Sequence, residues 1–442
     1  MQTDFLSELS MTTKQVEVAG EIMTPSGHAL PSGWDSRTLG EIAIITSGGT
    51  PSKANESFWM GDIPWLTAKD LKSFRMSDAI DHVSEAGVKA GSRMLPASAL
   101  VVLVRGMTLL KDVPICILGR PMAFNQDLKG LVIDTRYEPE YIAYALVAQR
   151  NSLMSMVDVA GHGTGRLATH ELISLEIPLP PPAEQRAIVE ILDAADATVR
   201  KIQALIEAKA KYKRALAEEL LTGRRRFPEF AETGKWQEFV VGDVLTETER
   251  PVVWSDDDFY NLLSVRRRSE GLFLRSVTQG KTIKTKQLRE VRAGDFLISK
   301  MQVVHGAWGT VPAEFDKHHV SGSYICLLAK EPERVYMPFL GYLSSLKTMY
   351  SIALQCSHGV HIEKMTFKLS DFLRRKITLP PTLPEQRRIA ECLSLLDDEI
   401  RLLQKQCEAL KRQKQGLMQR LLTGAVRAPG FSLTPQPPLS SE

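Results

Sequence analysis

The residues best suited to metal chemistry lie near the end of the second half of the chain. Cys356, His358 and His361 fall within six positions, and cysteine sulfur and histidine nitrogen are ligands that zinc prefers. A structural zinc site needs four ligands, and no fourth is evident, so a polar loop is the favoured interpretation. The adjacent pair His318 and His319 is interpreted in the same way. We therefore expect no metal site in this chain.

Sequence motifs that mark catalysis are missing. The GKT at 280–282 is similar to the end of a phosphate-binding Walker A loop, but Arg275 stands where that loop requires a glycine. The GHGTG at 161–165 has the wrong spacing for a dinucleotide-binding loop. The chain also contains no HExxH, no GxSxG and no (N/D)PP(Y/F/W) tetrapeptide of a DNA methyltransferase. We therefore expect a binding protein and not an enzyme.

The overall composition is that of a globular protein. Of 442 residues, 43% are hydrophobic and 24% are charged, and this length favours two or three domains. No apolar run approaches the roughly 18–20 residues of a membrane span, and the first residues do not follow the pattern of a signal peptide. Five scattered cysteines without a CxxC pair are typical of a reducing compartment. We expect a cytoplasmic protein that does not bind membranes.

The positive charge is concentrated in one stretch, although the formal net charge is only +3. From Ser264 to Lys300 there are ten Lys or Arg residues and three Asp or Glu residues, an excess of seven positive charges. Such a run can be a solvated face or a surface that binds a polyanion. The sequence leaves both interpretations open.

The chain repeats itself. With Glu184 placed on Glu385, the segments 184–223 and 385–424 align without a gap, and 17 of 40 positions are identical. In both copies prolines come before the segment, an acidic residue follows at once and a glycine ends it, which is the pattern of a helix with a defined start and stop. The sequence therefore predicts two long helices related by an internal duplication.

The segments before the two predicted helices also correspond in outline. Trp34 precedes LGEI at 39–42, and Trp236 precedes VGDV at 241–244. Further on, SALVVLVRGM at 98–107 and AGDFLISKM at 293–301 share the pattern of a buried strand that ends in a basic residue and Met. Each segment closes with a His-Gly loop and a proline-rich stretch. The predicted order is globule, helix, globule, helix.

Apolar residues recur at heptad spacing along both predicted helices, which is typical of a coiled coil. Two such helices in one chain are expected to pair antiparallel, and roughly 38 residues would form a rod of about 57 Å that acts as a spacer. In the second copy Lys414 interrupts the pattern, and in the first copy the stripe is expected to change register to Leu205, Ala208, Tyr212 and Leu216. The predicted core positions are Ile188, Leu192, Val199, Ile202, Ile206, Ile389, Leu393, Leu396, Ile400, Leu403 and Leu410.

The chain resembles the specificity subunits of type I restriction–modification systems over about residues 30–425. The motifs that carry the resemblance are PPPAEQRAIVEIL and PPTLPEQRRIAECL, each followed by LLTG, together with SGGTPS and GDIPWL in the first globule. The second globule has no counterpart of SGGTPS or GDIPWL. The resemblance implies an α+β protein with two mixed α/β target-recognition domains, two repeated helices in an antiparallel coiled coil and an internal pseudo-twofold duplication.

The same resemblance implies a function and a set of partners. Each globule would read one half of an interrupted sequence in double-stranded DNA, and the helices would set the gap and bind two modification subunits. Those partners would supply S-adenosylmethionine and methyl transfer, and restriction subunits would add cleavage that uses ATP and magnesium. This chain itself would hold no cofactor and carry out no catalysis. The implied boundaries are an N-terminal extension at 1–29, recognition domains at 30–178 and 225–379, spacer helices at 179–224 and 380–425, and a polar tail at 426–442.

Side chains that can read bases or hold phosphates are the candidate DNA contacts, because Arg, Lys, Gln, Asn and hydroxyl groups supply most such contacts. Trp65 follows a proline within an apolar run and is expected to pack in the core. In the first globule the candidates are Ser47, Thr50, Ser52, Lys53, Lys69, Arg105, Gln126 and Arg166. In the second they are Arg266, Arg267, Arg268, Lys300, Gln302, His358, His361 and Lys364.

Two other functions compete with this interpretation. A solitary restriction–modification enzyme would carry its own catalytic motifs, and their absence disfavours it. A coiled-coil scaffold that binds only proteins would not need two different globules with basic loops such as VRRRSEG at 265–271.

Overall fold

The structure is a computed structural model that describes residues 30–159 and 163–431. The described residues divide into two compact units. The first unit contains the residues up to Lys201 and those from Cys407 onward, and the second contains Ile202–Gln406. The predicted extension at 1–29, most of the predicted tail and His162 lie outside the described residues. No helix in the described part is long and apolar enough to cross a membrane.

Within residues 30–159 and 163–181, the first globule contains fourteen short strands and five short α-helices. Its strands are β1 Asp35–Thr38, β2 Ala43–Ser47, β3 Ile63–Leu66, β4 Arg75–Met76, β5 Asp81–Val83, β6 Arg93–Leu95, β7 Leu100–Leu103, β8 Arg105–Gly106, β9 Ile115–Leu118, β10 Met122–Phe124, β11 Leu128–Ile133, β12 Val157–Val159, β13 Gly165–Leu167 and β14 Glu176–Leu179. Its helices are α1 Leu39–Ile42, α2 Glu85–Gly91, α3 Pro139–Ala148, α4 Arg150–Ser155 and α5 Thr169–Ile173.

Two sheets form the body of the first globule. One has the strand order β2-β11-β7-β9-β4, and the other has the order β5-β3-β10-β6 with β3 and β10 parallel. The residues of β7 and β9 are fully buried, as expected for strands covered on both faces. A third, smaller sheet has the order β12-β13-β8 and shares no strand with the other two. Strands β1 and β14 form a separate pair.

A long helix, α6 Pro182–Leu221, follows the first globule, and α11 Leu383–Leu422 follows the second. The second globule has strands β15 Gln237–Val240, β16 Leu245–Thr248, β17 Phe259–Val265, β18 Leu272–Gln279, β19 Leu288–Glu290, β20 Phe296–Ser299, β21 Trp308–Thr310, β22 His319–Ser321, β23 Tyr324–Ala329, β24 Ser357–His358, β25 Thr366–Phe367 and β26 Lys376–Leu379. Its helices are α7 Val241–Val244, α8 Met337–Leu343, α9 Lys347–Gln355 and α10 Leu369–Leu373.

The two globules share their sheet topology, including the part for which the sequence shows no correspondence. The order β16-β23-β20-β21 repeats β2-β11-β7-β9, and β18-β17-β22-β19 repeats β5-β3-β10-β6. The parallel pair β3 and β10 has its counterpart in β17 and β22. Strand β17 therefore takes the place of the GDIPWL strand, although it keeps none of that sequence.

Both long helices run for 40 residues and lie almost entirely within the duplicated segments. Gly223 and Gly424 follow the helix ends with φ values of 70° and 72°, a left-handed conformation that glycine adopts without strain. Of the eleven predicted core positions none is exposed, and Ile188, Leu192, Val199, Ile389 and Leu393 are buried. The predicted α+β fold with two repeated helices is confirmed.

The expected change of register in the first helix is wrong at three of its four positions. Leu216 is buried, but it lies two heptads after Ile202 and so also fits the unchanged register. Leu205 and Tyr212 are 43% and 53% exposed, and Ala208 is exposed as well. The partly buried positions that follow Ile206 are instead Lys209 and Lys213, which form ion pairs with Glu399 and Asp397. The same face of the helix therefore continues toward the other helix, but with paired lysines in place of apolar side chains.

Lys414, which interrupts the heptads of α11, has a matching partner within the first unit. Its Nζ donates to Asp196 Oδ1 at 2.6 Å and lies 5.2 Å from the ring of Tyr144, whose hydroxyl also donates to Asp196. The second unit repeats this cluster with Lys213, Asp397 and Tyr342. Because a charge at a core position is stable only opposite its partner, these clusters fix the register of the helix pair. In each unit, contacts at higher residue numbers on one helix are made with lower residue numbers on the other. The two helices therefore pair antiparallel.

A second repeated contact joins the start of each long helix to the segment that follows the other. In the first unit, Glu184 is fully buried and accepts two hydrogen bonds of 2.7 Å from Arg427 and one of 3.2 Å from Trp34 Nε1. In the second unit, Glu385 accepts the same bonds from Arg226 and Trp236, with the same distances. A fully buried carboxylate is stable here because its oxygens face a guanidinium and an indole N–H.

Replacement of Glu184 tests this contact. In Glu184→Gln the charge of Arg427 stays in place while its carboxylate partner is lost, so the free energy of unfolding should fall by about 3 kcal/mol. The measurement is urea unfolding followed by circular dichroism. Glu190→Gln, on an exposed position of the same helix, should change the value by less than about 0.5 kcal/mol. Equal effects of the two substitutions would contradict the role of the pair.

Candidate nucleic-acid interface

The SGGTPS loop of the first globule is held tightly against the end of β10. A Cβ atom on Gly48 would lie 2.2 Å from the carbonyl oxygen of Phe124, so only glycine fits there. Trp65 is buried, as predicted, and its Nε1 donates to the carbonyl of Gly49 at 3.1 Å. Thr50 donates from Oγ1 to Gln126 Oε1 at 2.6 Å. The structure therefore brings two predicted candidates, Thr50 and Gln126, together in one polar group.

The other candidates near this loop are exposed cations and hydroxyls. Ser52, Lys53 and Lys69 are exposed, and within the described ranges neither lysine forms an ion pair. Lys69 sits on a turn whose shape is set by Asp70, a buried carboxylate that accepts bonds from Thr67 and from the backbone N–H of Ile80. A fixed turn that carries an unpaired cation suits a phosphate contact.

Ser47 contacts Lys129, a residue that was not among the predicted candidates. Lys129 donates from Nζ to Ser47 Oγ, and the two residues face each other across the β2 and β11 pairing. Its signal in the sequence was weak, because a single lysine in LKGLVI is indistinguishable from a solvated strand residue. Lys129 joins Ser47, Thr50 and Gln126 as a candidate contact.

Arg105 and Arg166 lie directly opposite each other on the antiparallel strands β8 and β13. Both are exposed, and in residues 30–159 and 163–431 neither forms an ion pair, although Asp158 faces Arg166 on the next strand. Like charges at directly opposed positions destabilise a sheet by their repulsion. An arrangement that costs stability while presenting two guanidinium groups side by side fits an anionic ligand, for which Arg supplies the best geometry.

The three adjacent arginines of the second globule are not equivalent. Arg266 donates to the carbonyl of Leu272 and lies 4.6 Å from the ring of Phe273, while Arg267 pairs with Glu363 at 3.1 Å. Arg268 is exposed and makes neither kind of contact in the described part of the chain. Only Arg268 is therefore available to a ligand without breaking an existing contact.

The backbone at Arg268 is strained. Arg268 and Ser269 have φ values of 62° and 54°, a left-handed conformation that costs non-glycine residues roughly 1–2 kcal/mol each. Ser269 is held there by a bond from its N–H to the carbonyl of Gly306, and its hydroxyl lies 3.2 Å from that of Tyr350. The surrounding contacts thus hold Arg268 in an outward position.

The remaining candidates of the second globule differ in availability. Lys300 donates to the carbonyl of Gly322, and Gln302 is half-buried with no partner for its Oε1 in the described chain. His358 bonds Asp371 at 2.7 Å, and this bond lowers the pKa of the Asp371 carboxyl. His361 and Lys364 are exposed.

No group of three or more metal-binding side chains comes together within residues 30–159 and 163–431. Cys356 is buried, and burial raises the pKa of its thiol, which disfavours the thiolate that a metal would need. His358 is engaged with Asp371, and His318 bonds the carbonyl of Asp316. His319 belongs to a separate cavity.

Two α/β globules that share the strand order of their main sheets and present unpaired cations on short strands and turns are suited to bind an anionic polymer. The model of the type I restriction modification DNA specificity domain matches this chain twice, at residues 31–209 and 234–412. The chain belongs to this family. Each match contains one globule and the first part of the helix that follows it.

Among curated relatives, the chain is 31% identical over 168 residues to the specificity subunit of the type I restriction enzyme EcoR124I/EcoR124II from Escherichia coli. That match covers 38% of this chain and 42% of the relative. The MjaIX specificity subunit from Methanocaldococcus jannaschii is 29% identical over 248 residues, which is 54% of each protein. The matched stretches thus span about half the length of these relatives.

Solved structures show the same fold. The crystal structure of a type I restriction–modification S subunit from M. genitalium matches with a TM-score of 0.55 and 16% identity, over 90% of this chain and 99% of the other. A chain from a structural study of complex assembly and conformational transition of the type I R-M system has a TM-score of 0.52 and 14% identity, over 89% of this chain and 98% of the other.

The non-equivalence of the three arginines makes a specific prediction. Arg268→Ala should weaken the binding of the chain to duplex DNA and reduce the slope of log affinity against log salt by about one. Arg267→Ala is the matched control, because the pairing of Arg267 with Glu363 already satisfies its charge. Fluorescence anisotropy with labelled duplex at several salt concentrations measures both. A larger effect at Arg267 than at Arg268 would show that the ion pair opens and that our assignment is wrong.

The opposed arginines predict a change of stability and binding in opposite directions. Arg166→Ala removes the repulsion with Arg105, so the free energy of unfolding should stay level or rise by about 0.2–0.5 kcal/mol. DNA affinity should fall in the same variant, because a guanidinium that faces phosphate is lost. Thermal unfolding and anisotropy on one preparation test both. A loss of stability together with unchanged affinity would identify Arg166 as a structural residue.

Proposed function

We propose that this chain is the DNA-reading subunit of a type I restriction–modification complex, in which each globule reads one half of an interrupted target. The observation that carries the proposal is the repeated topology with different surfaces. The two main sheets have the same strand order in both globules, apart from the additional edge strand β4 in the first. The SGGTPS loop with Thr50 and Gln126 stands in one globule, and the strained arginine loop stands in the other. One scaffold with two sets of exposed groups suits a target made of two different half-sequences.

We further propose that the long helices set the number of unspecified base pairs between the half-sequences. Continuous helices of 40 residues support this proposal, because a helix has a fixed rise per residue. Register is also fixed, since the clusters around Lys414 and Lys213 each permit only one pairing. A fixed register is what a spacer needs in order to set a single length.

The helices also present surfaces suited to protein partners. Leu395 and Leu402 are 66% and 67% exposed and lie seven residues apart, on one stripe of α11. Leu205 and Tyr212 have the same spacing on α6 and are also exposed. Exposed apolar stripes of this kind are typical of protein interfaces. We propose that the partners are two modification subunits, with restriction subunits in the complete complex.

The chemistry of such a complex belongs to the partners in this proposal. S-adenosylmethionine would be used by the modification subunits, and ATP with magnesium by the restriction subunits. The chain itself would contribute recognition and no catalytic group, and the complex would act in the cytoplasm, where its DNA target lies. Methylation by the purified chain alone, given methyl donor and DNA, would contradict this division of labour.

Mapping of methylated adenines in the host genome, with and without this gene, tests the proposed function. A motif of two short specified parts separated by a fixed number of unspecified bases should disappear when the gene is deleted. Deletion of a single globule's coding region should abolish the same motif, because both halves are required. A continuous motif, or a motif that survives deletion of the gene, would refute the proposal.

A matched deletion in both helices tests the spacer. Removal of 201–207 from α6 together with 402–408 from α11 keeps Asp196 opposite Lys414 and Lys213 opposite Asp397. Seven residues correspond to about 10 Å of helix, so the gap should shorten by roughly three base pairs. The readout is the gap in the methylated motif. The control removes 201–207 alone, which misaligns one of the two ion pairs and should prevent assembly. An active double deletion with an unchanged gap would exclude the spacer role.

A further inference from the structure

The second globule contains a cavity of about 390 Å³ beside the sheet β18-β17-β22-β19. Its apolar part is formed by Leu262, Leu288, Ile283 and Val320. This volume lies in the range of sites that hold small molecules. The cavity lies in the region of the basic stretch from Ser264 to Lys300, which the sequence alone could assign either to a solvated face or to a polyanion-binding surface.

A β-bulge directs Arg275 into this cavity. Leu262 pairs with Ser276 and Leu263 pairs with Leu274, so Arg275 is an extra residue with no partner on β17. In a regular strand Arg275 and Ser276 would point to opposite faces, but both line the cavity. Bulges commonly re-aim one side chain at a functional site.

The charges that line the cavity are all of one sign. Arg275 and Lys284 line it together with six hydroxyl-bearing side chains, and no Asp or Glu is among the lining residues. Neither cation forms an ion pair within the described ranges. Other basic residues of the same stretch are neutralised, as Lys286 is by Asp256 and Arg292 is by Glu290. Arg275 and Lys284 thus belong to the cations of this stretch that keep an uncompensated charge, and both line the cavity.

His319 adds one ring nitrogen without a hydrogen-bond partner in the described part of the chain. This nitrogen, Nδ1, is buried, and the residue lines the cavity. The ring is fixed by edge-on packing against Tyr260, with centroids 5.2 Å apart. Burial lowers the pKa of His319 and so favours the neutral ring.

We propose that this cavity binds one nucleotide, with its phosphate held by Arg275 and Lys284 and its base and sugar against the apolar part and His319. Guanidinium, ammonium and hydroxyl groups in a site without carboxylates are the groups that bind phosphate. The nucleotide is a free molecule, which distinguishes this site from the DNA contacts of the proposed function. The site goes beyond the proposed function, because a free nucleotide would bind there whether or not the chain reads DNA.

Titration of the full chain with AMP and with inorganic phosphate, followed by isothermal calorimetry, tests the free-nucleotide source. AMP should bind more tightly than inorganic phosphate, because only AMP fills the apolar part. Arg275→Ala and Lys284→Ala should each weaken AMP binding by about tenfold, the usual effect of losing one charged hydrogen bond. Lys235→Ala/Lys281→Ala is the control, since it removes two exposed charges of the same globule that do not line the cavity. Thermal unfolding of every variant shows that the fold is retained.

The second arm tests the DNA source with the assembled complex and a labelled duplex. If the nucleotide belongs to a DNA strand, Arg275→Ala/Lys284→Ala should reduce the salt slope of binding by up to about two, and the control should not. Loss of AMP affinity in these variants supports the site. A change of slope without a loss of AMP affinity would assign both cations to the DNA-binding surface and overturn the proposal. If the double variant matches the control in both arms, the proposal is overturned. If the wild-type complex does not bind DNA, the proposed function fails. The AMP titrations alone then decide whether the nucleotide site exists.

Discussion

The contact on which the rest of the structure depends is the buried pairing of Glu184 with Arg427, repeated as Glu385 with Arg226. Each carboxylate is the first charged group of a long helix, and each arginine comes from the segment that follows the other long helix. The two helices are thus joined where each meets its globule. Because the carboxylate is fully buried, a helix that slipped by one turn would leave a charge without a partner, which is among the most costly defects in a protein interior.

The clusters of Lys414 with Asp196 and of Lys213 with Asp397 impose the same condition farther along the helices. They also include Tyr144 and Tyr342, which come from the globules. Each globule therefore contacts the helix pair through a hydroxyl as well as through its apolar core, which extends to Ile188 and Leu192 in one unit and to Ile389 and Leu393 in the other. The position of each globule on its helices is set by polar and apolar contacts together.

Much of this architecture was predictable because the two long helices have similar sequences, which reveals the internal duplication. The identical positions Asp196 and Asp397, and Lys213 and Lys414, were visible in the aligned copies, but their mutual pairing was not. A lysine in a heptad pattern looks like an interruption unless its partner on the other helix is known. Lys209 and Lys213 were therefore not recognised as core positions, and Leu205 and Tyr212 were predicted in their place. Strand β17 was equally hidden, since a sheet position can be filled by any sequence of suitable alternation.

Individual side chains in the globules were less predictable than the elements that carry them. Arg266, Arg267 and Arg268 are three adjacent residues of the same type, so the sequence cannot distinguish them. Their contacts with Phe273 and Glu363 and the left-handed backbone at Arg268 give them different roles. The opposition of Arg105 and Arg166 depends on strand pairing between residues 61 positions apart. The bulge at Arg275 depends on a register that no local pattern specifies.

The reciprocal ion pairs also bear on how such a chain could arise. One copy of the helix carries an acid and, 17 positions later, a base, and the second copy carries the same two groups at the same spacing. When two identical segments of this kind lie antiparallel, each acid meets a base of the other, so the segment is complementary to itself. A twofold-symmetric association of two separate half-length ancestors would use the same contacts. Fusion of the two genes would then require no new complementary surface, and the globules could diverge while the helices remained constrained by each other.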